Sequence, residues 1–280
     1  MAAHRSFAEW NVAQATSQDK GPEEGTRFTA NEIHEHILKE AEGELERPVS
    51  ELSLSGLAAG LSIGFSFLAV ALVAGHMPPE HHAIAAALVY PVGFIYVVLA
   101  RHQLFTENTL EPVIPLLEQR DAKTLKQVLR LWAIVLPANL IGAALFAFVL
   151  ARTQTIEPSL HSSLMETARE ATKGTASVIF LKAIWAGWLV ALMAWVIAST
   201  HETIAQILLV WLTTAPIAGL GFKHSIAGAT EAFYRAWTGD APFSAMMTQF
   251  EIPALLGNIV GGVVLVALVN HGQTVAAKGK

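Results

Sequence analysis

Six long apolar stretches constrain this chain more than any other feature: residues 52–76, 83–117, 129–151, 176–199, 204–236 and 250–270. A helix needs about 20 apolar residues to cross the hydrocarbon core of a bilayer. The first, third, fourth and sixth stretches fit that length. The second and fifth run to thirty-odd residues and carry polar groups at their centres, too long and too interrupted for one straight crossing. The pattern predicts an all-α membrane protein with six spans, of which the second and fifth break inside the membrane. Composition agrees: mean hydropathy is +0.45, and charged residues make up only 15% against about 25% in soluble domains.

The loops set an expected orientation, because Lys and Arg concentrate on the cytoplasmic side. Arg5, Lys20, Arg27, Lys39 and Arg47 precede span 1; Arg120, Lys123, Lys126 and Arg130 join spans 2 and 3; Lys278 and Lys280 end the chain. The opposite side holds Arg152, Arg169, Lys173 and Arg235. Both termini are therefore expected in the cytoplasm, around a six-span domain over 50–271 and a tail over 272–280. Residues 1–49 form a cytoplasmic N-terminal region. Within it Thr29 and Glu32 make a capping-box pattern, with Phe28 able to staple onto Ile33, so an amphipathic helix is expected over about 29–46 with Ile33, Ile37, Ala41 and Leu45 on one face. Residues 1–27 show no periodicity and are expected to be mobile. The polar first fifty residues carry no cleavable signal peptide.

An internal repeat runs through the spans. Leu136-Pro-Ala-Asn-Leu-Ile-Gly-Ala143 resembles Ile252-Pro-Ala-Leu-Leu-Gly-Asn-Ile-Val-Gly-Gly262, with Asn139 and Asn258 as counterparts. The polar insertion ending at Thr106 is matched by one ending at His224, at nearly the same separation. A three-span repeat reverses its direction across the membrane, so the halves are expected to be inverted. Broken helices at corresponding positions of such halves point to a solute site near the midplane, because freed backbone groups are tolerated only where protein or a water-filled cavity satisfies them. Rows of glycine (Gly56, Gly60 and Gly64; Gly257 and Gly261) predict close helix packing.

Several functions are excluded or disfavoured. With no cysteine there is no disulfide, thiol catalysis, iron–sulfur cluster or Cys-ligated zinc. A net charge of −5 without a basic cluster offers nothing to nucleic acid. No nucleophile–base or metal-ligand spacing suggests an enzyme, and no cofactor is expected. His76, Glu80, His81 and His82 crowd the first turn and read as a solvated loop, leaving no metal site expected. Trp132 and Trp237 read as interfacial anchors.

The Leu104-Phe105-Thr106 break, the Gly221-Phe222-Lys223-His224-Ser225 break and the Gly257-Asn258-Ile259-Val260-Gly261-Gly262 run resemble the formate/nitrite transporter family over roughly residues 50–270. The long N-terminus and the Leu-Phe-Thr-Glu-Asn-Thr string are similar to its divergent YfdC-like branch. The resemblance implies an aquaporin-like fold, assembled as a homopentamer with one pore per protomer in a bacterial inner membrane. It implies that His224 is the central pore histidine and that Thr106 hydrogen-bonds near it. It further implies that Leu104 and Ile217 line the outer constriction, that Tyr90 lines the cytoplasmic one, and that Asn258 and Asn139 stand behind the pore. Against the family's pattern, Lys223 replaces a usual Glu, Gly187 stands where an Asn is common, and Arg101, His102 and Lys182 add cationic or polar groups.

The expected function is passage of a small monovalent anion or its conjugate weak acid (formate, nitrite, hydrosulfide or similar). A bare anion meets a large desolvation cost between apolar constrictions. Protonation at or near His224 would let the neutral acid pass. Lys223, Lys182 and Arg101 could form a cationic vestibule, or pair with Glu107, Glu202 or Glu231. The alternatives are a pore for a neutral solute and a non-conducting membrane scaffold or sensor whose N-terminal helix binds a cytosolic partner.

Overall fold

A computed structural model describes residues 28–278, so the expectation for residues 1–27 lies outside the described residues. Within them every regular element is helical. Helix α1 spans Ala30–Glu46. Thr29 and Glu32 close the capping box in both directions, with Thr29 N donating to Glu32 Oε2 at 2.6 Å and Glu32 N donating to Thr29 Oγ1 at 3.3 Å. The buried face of α1 is His34, Ile37, Ala41 and Leu45. Ile33 packs partly buried on the same cluster as Ile37, with His34 fully buried beside it, and the Phe28 ring sits edge-on to His36 and His201.

Helix α2 (Val49–Ala74) forms the first span. After a short turn, α3 (His82–Val89) and α4 (Pro91–Leu99) form the second up to its break, beyond which come a 3-10 turn (Glu107–Thr109) and α5 (Val113–Gln119). Helix α6 (Ala122–Arg152) is the third span, started by Asp121, whose carboxylate accepts from Thr124 N at 2.8 Å. Helix α7 (Leu160–Ala171) lies in the connection to the fourth span, α8 (Ala176–Ile197). The fifth begins as α9 (Thr203–Gly219), breaks, and resumes as α10 (Ser225–Thr238). The sixth runs as one helix over Phe243–Ala276 with π-helical turns at Met246–Glu251 and Val263–Leu268, and its last segment, Val269–Lys278, is helical to the end of the described residues.

Among the described residues, five segments are long and apolar enough to cross a membrane: Val49–Ala74, Pro79–Leu99, Ala122–Arg152, Ala176–Ile197 and Phe243–Ala276. The sixth expected crossing, Thr203–Gly219, is 17 residues and short of that length by itself. The two broken spans are also unequal. After its break the second continues only through a 3-10 turn and the seven residues of α5, whereas the fifth resumes as the fourteen-residue α10.

Two tight pairs hold the bundle, α2 along α6 and α8 along the sixth span. Glycine permits both. A Cβ on Gly60 would lie 2.1 Å from the Asn139 carbonyl oxygen, and one on Gly187 would lie 2.3 Å from that of Asn258. Both are closer than any side chain tolerates, so the backbones meet there only because neither residue has one. Gly187 is thus a packing position with no room for asparagine.

Candidate functional site

The two breaks are built the same way. Helix α4 ends with Arg101 in the left-handed region (φ 53°) and α9 ends with Gly221 there (φ 64°). At each end two backbone bonds close the last turn: Arg101 N to Val98 O and His102 N to Val97 O, matched by Gly221 N to Ala218 O and Phe222 N to Ile217 O. This is the Schellman termination, normally glycine's place; Arg101 adopts it with a side chain.

Beyond each termination one buried asparagine holds the extended segment. Asn139 Oδ1 accepts from Phe105 N at 2.8 Å, and its Nδ2 donates to Gln103 O at 2.9 Å and Gly56 O at 2.7 Å. Asn258 Oδ1 accepts from Ser225 N at 2.8 Å, and its Nδ2 donates to Lys223 O at 3.0 Å and Ala183 O at 2.8 Å. Both asparagines are fully buried. Each supplies the donor and acceptor that an unwound backbone lacks away from water. The residue bracketed is Leu104 in the first break and His224 in the second. This corrects the sequence expectation that matched Thr106 with His224: the counterpart of His224 is Leu104, and Thr106 reaches the histidine from two residues further on.

His224 also starts α10. Its Nδ1 accepts from Ala227 N at 3.0 Å. A backbone N–H can only donate, so Nδ1 carries no proton and the neutral ring carries it on Nε2. Nε2 lies 2.8 Å from Thr106 Oγ1. The ring therefore donates to the threonine, leaving the hydroxyl hydrogen of Thr106 to turn elsewhere. A proton on Nδ1 would displace the helix cap. Phe94 stands edge-on to the imidazole at 5.1 Å, and Tyr90 packs on Phe94 at 5.3 Å. Leu104, Tyr90, Phe94 and Ile217 belong to one apolar cluster.

A vestibule of about 660 Å³ reaches His224 from the side of α7. Tyr90 and Ile217 line it together, beside Lys182, Lys223 and Glu231. That departs from the expectation, which set Leu104 with Ile217 at one constriction and Tyr90 at the other. The second span runs from the 1–2 turn through Tyr90 before reaching Leu104, so Tyr90 must lie nearer that face. The ammonium of Lys223 is committed. It donates to Glu170 O at 3.1 Å and Ala171 O at 2.6 Å, capping the exposed carbonyls at the C-terminal end of α7. The expected carboxylate partner is thus replaced by a helix end. Lys182 lies near the break, its Nζ 3.6 Å from where a Cβ on Gly221 would stand.

A second vestibule, about 680 Å³, opens on the opposite side beneath α1. Arg101, Gln103, Glu107 and Glu111 line it with Glu40 and Glu44 of α1. Arg101 is largely exposed and sits 3.6 Å from Glu40, while Glu107 is buried. Gln103 Nε2 donates to Glu44 Oε1 at 2.5 Å and Gln103 Oε1 accepts from Asn108 Nδ2 at 2.9 Å, so α1 is wired to the first break. Burial pushes the Glu44 carboxyl up, against an opposing pull from Arg47. Trp132 donates from Nε1 to Asn108 O at 2.9 Å and braces the same segment. Gln103 opens the polar insertion visible in the sequence, but its link to Glu44 is not legible there, and Phe94 carries no sequence signal of its own.

Comparison with known proteins agrees with this geometry. A family described as formate/nitrite transporter matches residues 31–272. Inner membrane protein YfdC of Escherichia coli (strain K12) is 34% identical over 244 residues, covering 86% of this chain and 77% of that protein. A solved structure titled pentameric formate channel with formate bound aligns at a TM-score of 0.68 and 26% identity, over 79% of this chain and 95% of the other. An FNT family ion channel aligns at a TM-score of 0.74 over 88% and 98%, and at 21% identity it speaks for the fold.

Proposed function

The chain belongs to the formate/nitrite transporter family, and from that premise we propose that it is a membrane channel passing a small monovalent anion or its conjugate weak acid past His224 and Thr106. The contact between His224 Nε2 and Thr106 Oγ1, at 2.8 Å, carries this reading. It joins the two broken spans at the centre of an apolar cluster. A neutral imidazole oriented by a helix cap holds the hydroxyl so that the Thr106 proton is available to a solute oxygen. A weak acid can be received there through hydrogen bonds alone, whereas a bare anion would lose its hydration between Tyr90, Phe94, Leu104 and Ile217. The anion takes its proton from bulk water through the vestibule, at or near the histidine, and passes as the neutral acid while Nε2 keeps its own.

The remaining parts fit one scheme. The matched breaks act as inverted half-sites. Asn139 and Asn258 fix them, and Lys182 with Arg101 contributes positive charge toward the two mouths. Lys223 braces α7 instead of facing the solute. Exposed apolar faces along the spans, such as Leu54, Leu208 and Leu212, suit contact with lipid and with neighbouring copies in a homopentamer in a bacterial inner membrane, both termini on the cytoplasmic side. No catalytic step is required.

Flux of formate, nitrite, hydrosulfide, acetate and lactate in proteoliposomes at several pH values tests the reading. We expect saturable or channel-like flux of at least one of them, strongly reduced in His224→Asn. Full proton-coupled flux in that variant would show that passage of the acid does not depend on the histidine. Absence of flux for every solute from a folded assembly would favour a scaffold.

A further inference from the structure

Away from the pore, three ligating side chains converge from three elements that are remote in sequence. His34 comes from α1, Glu118 from α5 and His271 from the C-terminal helix Val269–Lys278. His34 Nε2 lies 3.4 Å from His271 Nδ1 and 3.6 Å from Glu118 Oε1, and His271 Nδ1 lies 3.8 Å from the same carboxylate oxygen. These separations are long for hydrogen bonds, which cluster near 2.9 Å. They suit a shared cation. The point equidistant from the three atoms lies about 2.1 Å from each, the Zn–N and Zn–O bond length.

We propose that His34, Glu118 and His271 bind a divalent transition-metal ion, zinc by ligand chemistry, and that the ion clamps α1 to α5 and the C-terminal helix. Two imidazoles and one carboxylate form a nitrogen-rich, borderline-soft set suited to zinc and poorly suited to magnesium or calcium. Both histidines are buried while the Glu118 side chain is 30% exposed, which gives the ion a way in and leaves a fourth position for water. The clamp has a place in the architecture. Helix α1 walls the second vestibule, and its Glu44 is wired through Gln103 to the first break. The ion would fix the helix that borders that mouth. This assignment stands independently of what the pore conducts. It is separate from His76 and His82 of the outer turn, whose ring nitrogens contact the Leu72 and Met77 carbonyls.

The full chain in detergent, stripped with a chelator and titrated with Zn²⁺ alone, tests it by calorimetry and by amide hydrogen exchange. We expect one zinc bound per chain and slowed exchange over residues 30–46. His271→Gln and Glu118→Gln should weaken binding by at least about tenfold and remove that protection. A chain with His76→Gln, His81→Gln and His82→Gln should bind as the unaltered protein does. No zinc uptake by the unaltered chain overturns the assignment without reference to any variant. Undiminished affinity in both site variants overturns it, and so does loss of binding in the outer-turn variant.

Discussion

Replacing Asn258 by leucine tests the origin of the break in the fifth span. The substitution keeps the number and branching of side-chain heavy atoms and removes three hydrogen bonds, to Ser225 N, Lys223 O and Ala183 O. Ala183 lies inside α8 and keeps helical partners for its carbonyl. Ser225 N and Lys223 O belong to the unwound segment on either side of His224. A buried backbone group left unpaired costs about 1–3 kcal/mol, so two orphans predict a loss of about 2–6 kcal/mol, in a region where water cannot substitute. Because Asn139 brackets Leu104 through the same three kinds of bond, Asn139→Leu should cost a similar amount. The measurement is equilibrium unfolding in mixed detergent, with flux recorded on the same preparations. If Asn258→Leu cost under about 1 kcal/mol and left flux intact, the breaks would not depend on these brackets. If the two variants differed widely, their equivalence would fail.

Two further outcomes follow from the mouths. Lys223→Met should speed hydrogen exchange across α7, which loses the cap on its last carbonyls, while leaving selectivity among formate, nitrite and acetate unchanged; altered selectivity would mean that the ammonium faces the solute. Glu44 supplies a pH dependence. Its folded-state pKa is raised, chiefly by burial, with Glu40 adding to the rise and Arg47, Arg101 and Gln103 opposing it. The stability it gives to docked α1 is therefore fully present below the unfolded carboxyl value of about 4.3 and is lost as pH rises through the raised folded value. Limited proteolysis of α1 should accelerate over that rise, and Glu44→Gln, which keeps a partner for Gln103, should flatten the dependence.

Five of the expected spans were legible because hydropathy over about 20 residues is a local property, while Thr203–Gly219 falls short of a crossing by itself. So was α1, through the Thr29 and Glu32 capping box. Asn139 and Asn258 announced themselves as repeated polar residues in apolar runs, and the structure gives them identical duties. Their partners were harder to read. A polar insertion can be seen in sequence, but the register of one insertion against the other depends on which backbone groups the asparagine grips. That is why Thr106 was matched to His224 by spacing, when the bracketing bonds and the paired terminations at Arg101 and Gly221 match Leu104 to it instead.

That shift of register changes what the site is. Were Thr106 and His224 symmetry mates, two polar groups would face each other as equals and either half could serve either direction. With Leu104 as the mate, one half contributes an apolar side chain at the central position and the other an imidazole, so the two breaks share a scaffold but differ in chemistry. The asymmetry extends outward. The first break ends at a left-handed arginine paired with Glu40 of α1, and the second ends at a glycine with Lys182 close by. The charged lysine next to the histidine, Lys223, is drawn aside to cap α7. His224 is thereby left with a neutral hydroxyl, an aromatic edge and aliphatic walls as its immediate partners. Such surroundings favour a solute that arrives uncharged or becomes so on arrival, because a full charge would find no fixed counter-charge at the centre to replace its water.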